Sequence, residues 1–105
     1  MIHLDSSFLI RSCFPGSGED LLLRQWLSAG ELLGASAVAW AEFQCGPVST
    51  EAASMAAALI DEPEPLDAAA ATVAARLFNE TGRRRGSLPD CMIAATAIQA
   101  DATLA

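Results

Sequence analysis

Apolar and polar positions along the chain change period repeatedly, and each change marks an element boundary. Ile2 and Leu4 alternate with His3 before the run ends on Asp5, the pattern of a short strand. Ser6 and Ser7 then offer hydroxyls suited to capping, and a short helix is predicted through Phe14. Pro15-Gly16-Ser17-Gly18 is a break. From Glu19 a second helix follows, with Leu22, Trp26 and Leu27 near one face, acids in its first turn and Gly30 at its end. A strand is predicted over 32–37 and a helix over 38–45, stopped by Gly46-Pro47. Ser49 or Thr50 caps a further helix to about Ile60, and the proline-containing stretch 61–66 reads as a loop with room for one edge strand. Asp67 caps a helix over 68–81 closed by Gly82, and Ser87 opens another that reaches about Ala100. A final strand begins at Ala102.

Strands separated by helices predict an α/β fold, a short parallel sheet covered on both faces in three layers. In such sheets, sites gather beyond the carboxyl ends of the strands. Asp5 ends the first strand, and Glu42 lies early in the helix leaving the second. Asp90 opens a helix that must run antiparallel to the strand it feeds, which places its start at the same sheet edge. Topology therefore allows the three acids to converge on one crevice.

Composition narrows the picture. A chain of 105 residues, 52% hydrophobic, is one domain rather than a disordered segment. Much of that share is alanine, which suits closely packed helices. No apolar run is long enough to span a bilayer, and Asp5 interrupts the N-terminus before a signal-like stretch develops, so no membrane association is expected. Cys13, Cys45 and Cys91 have neither a zinc spacing nor a disulfide framework and read as buried thiols in a reducing, cytoplasmic compartment. Net charge is −7, from thirteen acids against six arginines, which is unusual for a nucleic-acid binder. The distribution offsets this: Arg83-Arg84-Arg85 forms a local basic run, and some acids can face a divalent cation.

Three motifs in order resemble those of the PIN-domain family, and most closely its VapC-like toxins. Leu4-Asp5-Ser6-Ser7-Phe8-Leu9-Ile10 resembles the opening strand that delivers Asp, then Thr or Ser, then a small polar residue and an aliphatic pair. Ala41-Glu42-Phe43-Gln44-Cys45-Gly46 resembles the second motif, a helical Glu closed by Gly. Gly86 to Ala97, which contains Asp90-Cys91-Met92-Ile93-Ala94-Ala95, resembles the stretch where Asp begins an Ile-Ala-Ala helix. The resemblance implies a single PIN-like domain over 1–105. It implies a Mg2+- or Mn2+-dependent endoribonuclease with Asp5, Glu42 and Asp90 as metal ligands and Ser7 in support. It also implies a toxin that pairs as a homodimer and is held inactive by a cognate antitoxin, whose tail fills the acidic groove. The family pattern continues with Thr, a small polar residue and a further Asp after the strand that opens at Ala102; this sequence does not hold those positions, so the closing strand is expected to be lacking.

Local chemistry offers other roles for the same residues. Asp5 is placed to cap the helix after it, Asp90 stands three after Ser87 in capping-box spacing, and Glu42 can be a solvated helix residue. Arg83, Arg84 and Arg85 follow a helix end, where cations favour the dipole, and can equally contact RNA phosphates. His3 reads as a packed or edge residue and not as a ligand, and the two tryptophans read as core, with Trp40 near the crevice mouth. Two rival functions stay open: a degenerate PIN-like domain that binds a partner protein, and a metal-dependent nuclease acting on structured DNA.

Overall fold

The computed structural model describes residues 1–81 and 87–105. It is an α/β arrangement in which strands β1 (Ile2–His3), β2 (Leu33–Gly34) and β3 (Thr103–Leu104) form a parallel sheet in the order β2-β1-β3. Ile2 pairs with Leu33 and Thr103, and His3 with Gly34 and Leu104. The strands are shorter than the alternation predicts, because Asp5 and Ser36 already serve as caps of the helices that follow β1 and β2. The 61–66 stretch contributes the anticipated edge contact as an isolated parallel bridge between Ser36 and Glu64.

Among the described residues six helices accompany this sheet: α1 (Ser6–Ser12), α2 (Gly18–Ser28), α3 (Ala37–Cys45), α4 (Thr50–Leu59), α5 (Ala68–Glu80) and α6 (Leu88–Gln99). Their starts follow cap chemistry. Ser17, Ser36, Ser49, Asp67 and Ser87 each accept a backbone N–H of the first turn through the side chain. At α1 the cap is Asp5, whose carboxylate accepts the Ser6 N–H; Ser6 itself already lies within the helix.

Leu4, Leu9, Leu23, Ala35, Phe43, Ala56 and Ile60 form the main core, drawn from β1, α1, α2, α3 and α4 and the segments beside them. Phe43 is completely buried, a burial that contributes about 1.5–3 kcal/mol. Trp26 stacks on Phe8 and Trp40 on Phe43 at the edge of this core, as the core reading of both tryptophans requires. A second cluster of Ala74, Cys91 and Ala95 lies where α5 and α6 pack together, and small side chains there let the two backbones approach.

Two expectations change. α2 turns Leu23 inward, with Leu22 and Leu27 left exposed, because its apolar positions cover too much of the helix for periodicity to choose a face. Of the cysteines only Cys91 is buried; Cys13 and Cys45 lie at or near helix ends, where the chain turns outward, and are exposed.

Candidate active site

Backbone pairing fixes the end of β1. The Leu4 N–H donates to the Gly34 carbonyl at 2.8 Å and the Asp5 N–H to the Ala105 carbonyl at 2.9 Å. Asp5 is thereby held at the carboxyl end of the central strand, between the exits of β2 and β3. Its backbone is extended, and its carbonyl accepts the Leu9 N–H, so helical bonding begins at once. The Asp5 carboxylate accepts the Ser6 N–H at 2.7 Å and lies 3.3 Å from the Ser6 hydroxyl. Capping and site membership therefore coincide in this residue.

α3 brings the second acid. Buried Ser36 caps this helix, and Gly46 ends it. Phe43 points into the core while the preceding Glu42 stays half-buried. The Ser6 hydroxyl donates to Glu42 Oε1 at 3.1 Å and lies 3.3 Å from Asp5 Oδ1, so one serine sits between two carboxylates and ties the more distant one in sequence to the start of α1. Ser7, the expected supporting hydroxyl, is exposed. Successive positions at a helix start diverge by about 100°, so when Ser6 faces α3, Ser7 faces away. Sequence spacing alone cannot choose between neighbouring hydroxyls. The signal available was only that both follow Asp5.

Asp90 occupies the third position of α6 and completes a capping box. Its Oδ2 accepts the Ser87 N–H at 3.0 Å and lies 3.2 Å from the Ser87 hydroxyl, while its own N–H donates to Ser87 Oγ at 3.4 Å. α6 runs into β3, which pairs with β1 in parallel, so the start of α6 lies toward the sheet edge that carries Asp5. Among the described residues, however, no three His, Cys, Asp or Glu side chains are grouped closely enough to hold a metal ion. Asp5 and Glu42 are brought together; Asp90 stands in its cap. Arg83, Arg84 and Arg85 lie outside the described residues.

The donor chemistry of the pair fits a hard divalent cation, which prefers carboxylate oxygens and retains water. His3 offers no such ligand. It is buried in β1, and among the described residues neither ring nitrogen has a hydrogen-bond partner. Burial pushes its pKa below the ordinary histidine value, against the pull of nearby Glu64. A groove of about 330 Å³ between α1, α2 and α4 is lined by Leu9, Leu23, Met55 and Leu59. Asp20, Arg24 and Glu51 also line it, but it does not include the carboxylate pair.

Comparison with known proteins bears on the fold and the family. No curated protein gives a significant sequence match. Among solved structures, FitAcB from Neisseria gonorrhoeae aligns with a TM-score of 0.71 at 24% identity, over 99% of this chain and 85% of that one. VapBC2 from Rickettsia felis, solved with a DNA fragment from its promoter, gives 0.78 at 18%, again over 99% and 85%. VapC20 from Mycobacterium tuberculosis, a sarcin–ricin loop cleaving toxin, gives 0.73 at 16%, over 97% and 85%. At these identities the likeness is one of fold. The PIN domain family model, by contrast, matches the sequence itself over residues 2–105. The chain thus belongs to the PIN-domain family, nucleases that generally use divalent metal ions.

Proposed function

We propose that this chain is a Mg2+- or Mn2+-dependent endoribonuclease and the toxin of a toxin–antitoxin pair, acting in the cytoplasm as a single domain over residues 1–105. The observation that carries the reading is the Asp5–Ser6–Glu42 cluster at the carboxyl end of the central strand, in a chain of this family. Asp5 and Glu42 would hold the cation, with Asp90 as the third carboxylate from the same sheet edge. Bound there, such an ion supplies activation of water and neutralisation of charge on the phosphate. The chain's own residues do the rest. Asp5, fixed by its backbone bonds, sets the position of the site relative to the sheet, and Ser6 holds Glu42 beside it. Arg83, Arg84 and Arg85 would bind phosphates flanking the cleaved bond, and Ser7, exposed one position on from Ser6, would contact the RNA rather than the cation.

RNA as substrate is supported by the likeness to VapC20, and an antitoxin partner by the likeness to VapBC2, solved with promoter DNA. An acidic crevice in a molecule of net charge −7 favours a basic inhibitor segment. Homodimerisation belongs to the same reading. The test is incubation of the purified chain with mixed RNA and with structured DNA, each with Mg2+, Mn2+ or chelator. RNA cleavage that disappears on chelation is expected. Cleavage of DNA alone would select the DNA-nuclease reading.

One observation favours a second reading, a PIN-like domain that binds a partner without catalysis: Asp90 is engaged in a helix cap, and the described residues hold no three-acid group. Stable capture of a small basic partner, with no cleavage of either nucleic acid under any metal, would select it.

A further inference from the structure

We infer that Ser6 is a positioning residue for the metal centre: its hydroxyl holds the Glu42 carboxylate against Asp5 before any cation arrives. The inference rests on the reading of Asp5 and Glu42 as metal ligands. A carboxylate offers only acceptors, whereas a serine hydroxyl offers one proton and two lone pairs. Between Glu42 Oε1 at 3.1 Å and Asp5 Oδ1 at 3.3 Å, that single proton is given to Glu42, and the Asp5 contact is the longer one. The bridge joins residues 36 positions apart, from the first turn of α1 to the second turn of α3. Without it, Glu42 is a half-buried side chain with three rotatable bonds facing a second carboxylate. Rotamer freedom and like-charge repulsion would then both turn it away from Asp5.

The helix cap and the bridge use different atoms of Ser6. The cap at Asp5 takes the backbone N–H, at 2.7 Å, which alanine and threonine keep. Ser6→Ala therefore removes the bridge and leaves α1 capped. Ser6→Thr keeps a hydroxyl in the same place, provided the added methyl is accommodated at this half-buried position. Ser12, whose hydroxyl donates to the Leu9 carbonyl near the other end of α1, supplies a control on the same helix.

The experiment is Mn2+ titration by calorimetry of the full chain, unmutated and as Ser6→Ala, Ser6→Thr, Ser12→Ala and Glu42→Gln, with metal-free melting curves for each. Loss of an outer partner that orients a metal ligand typically weakens metal binding by about 10–100-fold. Ser6→Ala should fall in that range with its metal-free melting temperature nearly unchanged. Ser6→Thr should recover most of the affinity, and Ser12→Ala should match the unmutated chain. NMR of metal-free Ser6→Ala should show the Glu42 side chain averaging over rotamers. If Ser6→Ala binds Mn2+ as tightly as the unmutated chain while Glu42→Gln does not, the positioning role is overturned and the metal site stands. If the unmutated chain binds no Mn2+, or Glu42→Gln binds as well as it does, the metal site falls and this inference falls with it.

Discussion

Asp20 accepts the Gly16 N–H at 2.9 Å and the Arg24 Nε–H at 3.1 Å, and the N–H bond is the first cause holding its carboxyl below the ordinary value of 3.8. Gly16 has a φ of +81°, a conformation that glycine adopts freely, so the turn before α2 and this carboxylate fit one another. A carboxyl whose folded pKa is depressed stabilises the fold above its unfolded value, and that contribution is lost as pH falls through the folded value. Asp20→Asn should therefore melt below the unmutated chain at neutral pH, and the gap should close on acidification below 3.8. A gap independent of pH would remove the charge from this account. At Asp90 the corresponding change is Asp90→Ala, which takes the carboxylate out of the capping box and should cost about 1 kcal/mol of metal-free stability. A rise in stability beyond the roughly 0.7 kcal/mol that alanine's better helix propensity can supply would mean that Asp90 lies against the other acids, since relief of like-charge repulsion has that sign. Caps such as Ser87–Asp90 and Asp67 were legible because both partners lie within one turn of sequence. Ser6 was not, because its partner is brought to it only by the packing of α1 on α3.

Among the elements, β1 and β2 leave little room for a side chain at Gly34. A Cβ there would lie 3.1 Å from His3 Cδ2, 3.3 Å from His3 Nε2 and 3.4 Å from Met1 Sδ. The His3 ring is fully buried and cannot easily give way. Gly34→Ala should destabilise by about 1–3 kcal/mol through overpacking. In a His3→Ala background the same change should cost much less, because neighbours sharing one space are not additive. Equal costs in the two backgrounds, measured by denaturant unfolding, would show that the ring is not the obstacle. Element order was readable from the alternation of periods, and strand ends were not. A stretch such as 32–37 has strand-like character throughout, yet β2 pairs only over Leu33–Gly34 before Ser36 turns the chain into α3. The inward face of α2 was hidden for a related reason. Leu21, Leu22, Leu23, Trp26 and Leu27 surround much of the helix, and contact with α1 settles the question in favour of Leu23.

At the scale of the whole molecule, the parallel sheet is what makes the site legible. Parallel strands put their carboxyl ends on one edge, so topology allowed Asp5, Glu42 and Asp90 to converge, and of these Asp5 and Glu42 meet at Ser6. The fine placement of Asp90 depends on whether cap or crevice wins, a balance of small energies that sequence order does not carry. No helix among the described residues is long and apolar enough to cross a membrane, consistent with the absence of long apolar runs. Net charge of −7 sets the molecule against polyanionic substrates, so under the proposed function a cation at the acidic edge would have to supply much of the attraction that RNA needs. The most direct test is the rate of RNA cleavage at saturating Mn2+ by the unmutated chain and by Glu42→Gln. A metal-bound phosphate is worth several kcal/mol in the transition state, and each 1.36 kcal/mol is about tenfold in rate. The substitution should therefore slow cleavage at least about a hundredfold while the fold stays intact. Cleavage by Glu42→Gln at the unmutated rate would contradict the account, because the carboxylate pair would then have no part in the chemistry.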